Sequence, residues 1–306
     1  MSIIKVENVT KRYSAHTALD GVSMEVPTGS IFGLLGPNGA GKTSLIRIIT
    51  QITAPDEGTI YFNGEVLKPE HASRIGYLPE ERGLYKKMKV GEQLVYLSRL
   101  KGLSAKDALE KVKDWFIRFE IKEWWDKNVE DLSKGMQQKV QFISTVVHEP
   151  ELIILDEPFS GFDPINANLI RDEILRLHDR GSTIIFSTHR METVEQLCDH
   201  IALINKSKKV LDGKKEDIRK QFSTYTYKIS GTGQLEDRES PFERLSVKNE
   251  SEKNSFEAVY RINPVHSPNE LINWLTSQVE IHQFEEEIPS MGDIFIKTVQ
   301  DDSNNL

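Results

Sequence analysis

A single cysteine, Cys198, stands in 306 residues. A lone thiol excludes a disulfide framework and fits a reducing compartment. No stretch approaches the roughly 18 consecutive apolar residues of a membrane-spanning helix, so the chain is not expected to span a bilayer by itself. Residues 1–9 alternate apolar and polar side chains like a strand, without the basic start and apolar centre of a secretory leader. Positive charge is also short: 39 Lys and Arg face 47 Asp and Glu, a formal charge of −8. The deficit sits at one end. Residues 222–306 hold seven Lys and Arg against fifteen Asp and Glu, while the first 221 residues are balanced. An acidic end argues against a nucleic-acid partner there, and otherwise reads as a solvated surface. The length suits two domains, and 38% hydrophobic residues suffice for packed cores.

What is present begins with residues 36–43, Gly36, Pro37, Asn38, Gly39, Ala40, Gly41, Lys42 and Thr43, with Ser44 next. The octet fits G-x-x-x-x-G-K-[ST]. An apolar strand-like run, residues 31–35, precedes it, and a helix-like stretch follows. The glycines let the backbone curl so that its N–H groups point at one anion. The helix start adds partial positive charge at the same place. Lys42 can reach the β- and γ-phosphates of a nucleoside triphosphate, and the Thr43 hydroxyl can ligate Mg²⁺.

The second half of such a site lies at residues 152–158, an apolar strand ending in Asp156, Glu157 and Pro158. Asp156 at the sheet edge can hold Mg²⁺ through water, which that small, strongly hydrated ion favours. Glu157 is then placed to orient or deprotonate the water that attacks the γ-phosphate.

These motifs, in this order and spacing, resemble the nucleotide-binding subunit of an ATP-binding cassette (ABC) transporter over about residues 1–220. Tyr13 is similar to the aromatic that stacks on adenine. Residues 131–137, Asp-Leu-Ser-Lys-Gly-Met-Gln, resemble the family signature, normally Leu-Ser-Gly-Gly-Gln, with Ser133 and Gly135 as its phosphate contacts. Residues 160–163, ending in Asp163, resemble the dimer-contact loop, and His189 resembles the switch histidine that senses the γ-phosphate. Ser133 also reads as a helix N-cap, and Asp163 as the residue opening a helix with Pro164 in its first turn. The resemblance implies a head-to-tail dimer around two ATP, either a homodimer or a pair of paralogues. It implies integral membrane permease partners and a peripheral place on the cytoplasmic face of the cell membrane. Ribosome-acting members join two cassettes and DNA-repair members carry long coiled coils; neither feature is present. Mechanical or signalling work by the same ATPase cycle stays open beside transport.

Three departures from the family pattern stand out. Lys134 and Met136 replace Gly and Gln in the signature. Glu80 takes the place of the glutamine that contacts metal and attacking water. A carboxylate there can still orient water or approach Mg²⁺, but adds negative charge beside the triphosphate, so slower or more tightly gated hydrolysis is expected. Residues 79–85 and 132–139 resemble the ATPases of ABC-2-type exporters, including the sodium-efflux and multidrug-type group, which commonly carry a small C-terminal domain.

The expected fold is an α/β P-loop cassette, residues 1–221, followed by a small α+β domain, residues 222–306. The cassette comprises a parallel core sheet, an antiparallel β-subdomain in residues 1–30 and a helical subdomain at about 87–145. Trp115 lies on an apolar helical stripe and is expected in the core; the Trp124–Trp125 pair is a candidate partner contact. Strands are expected at 225–229, 256–262 and 280–287, with helices after Ser267 and Ser290. No catalytic constellation marks this second domain, which reads as regulatory, dimer-bracing or a structural cap.

Overall fold

Three five-residue runs, Ile31–Leu35, Leu152–Asp156 and Thr183–Ser187, are buried at every position. Strands covered by helices on both faces read as continuous rather than alternating apolar segments. The computed structural model describes residues 1–14, 16–80, 83–159, 163–235, 240–250 and 254–304. The chain divides into two units, Met1–Lys215 and Glu216–Leu306, six residues before the expected boundary. A short helix, Lys215–Gln221, begins at the division.

Among the described residues, the strands of the first unit are β1 (Ser2–Tyr13), β2 (His16–Pro27), β3 (Ile31–Leu35), β4 (Glu57–Phe62), β5 (Glu65–Val66), β6 (Ile75–Leu78), β7 (Leu152–Asp156), β8 (Thr183–Ser187), β9 (His200–Asn205) and β10 (Lys208–Lys214). Its helices are α1 (Lys42–Ile49), α2 (Val90–Leu100), α3 (Ala105–Arg118), α4 (Lys134–Val146), α5 (Pro164–Asp179) and α6 (Met191–Leu197). One sheet has the order β2-β1-β4-β5 and is antiparallel. The core sheet has the order β10-β9-β3-β8-β7-β6, parallel except for β10. Between them lies a core that includes Val6, Leu19, Phe62, Leu34, Leu45, Ile46 and Ile154. Leu45 and Ile46 anchor α1 beneath the loop before it; truncating either to Ala should cost about 2–5 kcal/mol.

The helices α2, α3 and α4 form the expected helical region. Trp115 is buried, tilted against Phe119 and edge-on to Phe142, with Arg118 4.7 Å over its face. Trp125 packs too, edge-on to Phe116 at 5.0 Å. A Cβ on Gly91 would meet the Trp125 ring at 2.5 Å. Gly91 thus makes room for the Trp125 indole, which, like Trp124, stays half-buried.

The second unit contains α7 (Lys215–Gln221), β11 (Thr226–Thr232), β12 (Glu243–Glu250), β13 (Ser255–Arg261), α8 (Pro268–Thr276), β14 (Glu280–Glu286) and α9 (Met291–Asn304). Its antiparallel sheet runs β12-β13-β11-β14. Ser267 caps α8 in a capping box with Glu270. Leu271 and Leu275 of α8 join Ile229, Phe256 and Tyr260 of the sheet in a separate core. The edge strand β12 was not evident from sequence, because Glu-Arg-Leu-Ser-Val-Lys-Asn-Glu has only two apolar residues, Leu245 and Val247, and both stay exposed.

Candidate functional site

Strand order brings the chemistry together. β8 lies between β3 and β7, so three carboxyl ends stand side by side. β3 leads into the glycine loop and α1, β7 ends in Asp156 followed by Glu157, and β8 leads to Thr188 and His189. Parallel register aligns Asp156 with Ser187, and the Glu157 N–H continues the ladder by donating to the Ser187 carbonyl at 2.9 Å.

The loop requires its glycines. Gly36 has φ 149°, and a Cβ there would lie 2.1 Å from the Ile204 carbonyl oxygen. Gly41, the N-cap of α1, has φ 116°, and a Cβ would lie 2.2 Å from the Ala18 oxygen. Lys42 Nζ donates to Gly36 O at 2.7 Å and to Pro37 O at 3.1 Å. The ammonium has a third donor for a phosphate oxygen. Burial pulls the Lys42 pKa down, while Asp156, Glu157 and Glu80 oppose that shift. Burial pushes the Asp156 carboxyl up, and the charges of Glu80 and Glu157 add to it.

Glu157 is the most tightly specified side chain here. Its φ of 48° is left-handed, uncommon for a residue with a Cβ. Oε1 accepts the His189 N–H at 3.0 Å and lies 2.6 Å from His189 Nδ1; Oε2 accepts the Thr188 hydroxyl at 3.2 Å. Local strain of this kind persists where surrounding bonds over-determine it.

A cleft of about 300 Å³ joins Tyr13, Asn38, Gly39, Ala40, Gly41, Lys42, Thr43, Ser44, Glu80, Asp156, Glu157 and His189. Gly36 and Pro37 shape the loop from behind. Two further lining residues, His16 and Ala18 of β2, escaped sequence reasoning. The register that sets His16 opposite Tyr13 across β1 and β2 brings them there, and no local pattern marks it. Tyr13 is half-exposed, with Lys11 Nζ 5.6 Å from its ring.

Ser133, Gly135 and Asp163 do not line this cleft. Ser133 is exposed and caps α4, accepting from Met136 N at 3.3 Å; an added Cβ on Gly135 would meet nothing within 4 Å. Asp163 caps α5, accepting from Ile165 N and Asn166 N at 3.0 Å, and these bonds hold its carboxyl below the usual range. The rest of the expected contact loop, residues 160–162, lies outside the described residues, as do Glu81 and Arg82.

The donor set tests well for Mg²⁺. Thr43 offers a hydroxyl, Asp156 and Glu80 offer carboxylates, and all three line one cleft. Hard oxygen donors suit this ion, and a buried, mutually repelled carboxyl is the kind a cation relieves. No group of three His, Cys, Asp or Glu among the described residues makes a metal cage by itself. Few protein ligands are expected where phosphates and water complete the shell. No helix among the described residues is long and apolar enough to cross a membrane.

Comparison with known proteins matches residues 19–160 to the ABC transporter family and residues 213–299 to the C-terminal domain of DrrA1-3-like ATP-binding proteins. Residues 127–195 also match an AAA domain described as a putative AbiEii toxin, Type IV TA system. The chain is 41% identical over 297 residues to the uncharacterized ABC transporter ATP-binding protein YhaQ of Bacillus subtilis (strain 168), covering 97% of this chain and 98% of that one. It is 35% identical to the Nod factor export ATP-binding protein I of Cupriavidus metallidurans, over 71% of this chain and 73% of that one. A solved ATP-binding subunit of an ABC transporter superposes with a TM-score of 0.68 at 30% identity, covering 72% of this chain and 93% of the other. With its loop, carboxylate strand and fold in agreement, the chain belongs to the ABC transporter ATP-binding proteins, an ATPase family, and carries a DrrA-like C-terminal domain.

Proposed function

We propose that the chain is the ATP-hydrolysing motor subunit of a membrane exporter. The observation that carries this is the convergence of Lys42, Thr43, Asp156, Glu157 and His189 in one cleft, with Tyr13 at its rim. The glycine loop and Lys42 bind the phosphates, and Tyr13 gives the base a stacking face. Thr43, Asp156 and Glu80 would hold Mg²⁺, which supplies charge neutralisation at the phosphates when bound. Glu157 orients the attacking water and takes its proton, its carboxylate held by Thr188 and His189. His189, more than half exposed on its side chain, is free to turn toward a γ-phosphate.

The dimer reading rests on what this chain's cleft lacks. Ser133 and Gly135 begin α4 away from it, at a helix start that offers N–H donors to an anion. A second copy or a paralogue placed head to tail would bring them to this chain's nucleotide. Export as the work done is supported by the relative named for Nod factor export. A largely apolar groove of about 360 Å³, lined among others by Ile52, Pro79, Leu84, Leu97 and Leu100, offers a membrane subunit a seat.

The test is to purify tagged Glu157→Gln from its native membranes with ATP and Mg²⁺. A polytopic membrane protein should accompany it. Ribosomes, DNA-repair proteins or nothing from the membrane would remove the export reading while leaving the ATPase one.

A further inference from the structure

The general base assigned above has one support that no motif marks. Thr188 follows β8 directly and is only 2% exposed. Its hydroxyl oxygen accepts the Arg190 N–H at 3.1 Å, which occupies a lone pair. A hydroxyl has a single proton, and this one is directed to Glu157 Oε2 at 3.2 Å. The other oxygen, Oε1, depends on His189 through its N–H and its ring.

These two holds differ in permanence. The His189 side chain is 63% exposed, and the proposed function asks its ring to engage a phosphate. Each turn toward phosphate removes the ring contact and leaves Oε1 with the His189 main-chain N–H alone, so the Thr188 hydroxyl is then the one side-chain hold described on the carboxylate. Thr188 is buried, and both sides of its hydroxyl are committed within the protein. The register that aligns Asp156 with Ser187 places the next residues, Glu157 and Thr188, opposite one another. Glu157 also sits at a left-handed φ of 48°, so its side-chain direction is not set by ordinary extended backbone.

We infer that Thr188 is a positioning residue for hydrolysis: its hydroxyl keeps the Glu157 carboxylate aimed at the attacking water while His189 exchanges between that carboxylate and phosphate. The inference rests on the reading of Glu157 as the base. Thr188 touches no nucleotide in this account and acts only through Glu157.

The test is steady-state ATP hydrolysis by the full chain, with ATP affinity measured beside it. Thr188→Val keeps the shape and removes the hydroxyl. It should lower kcat about 10- to 100-fold, the worth of a hydrogen bond to a charged group, and leave the KM for ATP within about twofold. Thr188→Ser, which restores the hydroxyl, should recover most of the rate. In a Glu157→Gln background, Thr188→Val should change the residual rate by less than about twofold, because residues acting as one unit are non-additive. A purely structural role would reduce folding in both Glu157 backgrounds alike and would not produce this pattern. A Thr188→Val kcat within about twofold of wild type, or an equal loss in the Glu157→Gln background, would overturn the inference. If the first occurs while Glu157→Gln is inactive, only the role of Thr188 falls. If Glu157→Gln itself hydrolyses ATP at the wild-type rate, the assignment of the base falls with it.

Discussion

Gly36 and Gly39 lie three residues apart in the same loop, both at positive φ, 149° and 78°. Their surroundings differ. A Cβ on Gly39 meets nothing within 4 Å, whereas one on Gly36 would lie 2.1 Å from the Ile204 carbonyl, more than 1 Å inside ordinary contact. Ile204 belongs to β9, which is paired on both sides by β3 and β10 and cannot yield cheaply. The alanine at Gly39 should therefore cost only backbone strain, about 1–2 kcal/mol. The alanine at Gly36 adds overpacking of about 1–3 kcal/mol, for about 2–5 kcal/mol together. The loop must shift by about 1 Å to relieve the clash, and misplacement of that size costs on the order of 100-fold where phosphates are positioned. Urea unfolding and titration with a fluorescent ATP analogue read both effects. Gly36→Ala should lose stability and about two orders of magnitude in affinity, while Gly39→Ala loses less than about tenfold. Equal behaviour of the two variants, or wild-type affinity in Gly36→Ala, would refute the assignment of this loop as the phosphate cradle.

Two further expectations use groups around the same core. Glu80 adds a third carboxylate to a cleft that already pushes Asp156 up, so Glu80→Gln should hydrolyse ATP faster than wild type, and a variant no faster would count against the charge argument. Burial, helped by the Lys101 charge, holds the His148 imidazole down at about 4. The unfolded chain takes up that proton near pH 6.5 while the folded one does not until about 4, so stability falls as pH drops through this window, by up to about 3 kcal/mol. Urea midpoints at pH 7 and 4.5 should fall further for wild type than for His148→Leu; equal falls would contradict the buried-neutral reading.

Much of the nucleotide site was legible because its signals are local. The loop from Gly36 to Thr43 and the strand ending in Asp156 and Glu157 each declare themselves within a few residues, as does the helix cap at Ser133, which does not line the cleft. The fully buried runs of β3, β7 and β8 announced a covered parallel sheet in the same way. What was not legible depends on strand order and register. Thr188 meets Glu157 because β8 lies beside β7, and His16 reaches the cleft through the β1–β2 register that sets it opposite Tyr13. Trp125 packs against Phe116 because a glycine 34 positions earlier leaves it a slot, a pairing no local pattern announces. β12 is held by pairing with β13 rather than by burial, and its two apolar residues, Leu245 and Val247, are too few to mark a strand.

The central claim is that Glu157 is the base of an ATPase site whose phosphate loop is a separate part of the same cleft. The direct measurement is ATP affinity and turnover of Glu157→Gln beside wild type. The account predicts near wild-type ATP affinity with hydrolysis lower by about 10²–10⁴-fold. Undiminished hydrolysis, or ATP affinity lost along with it, would contradict the account.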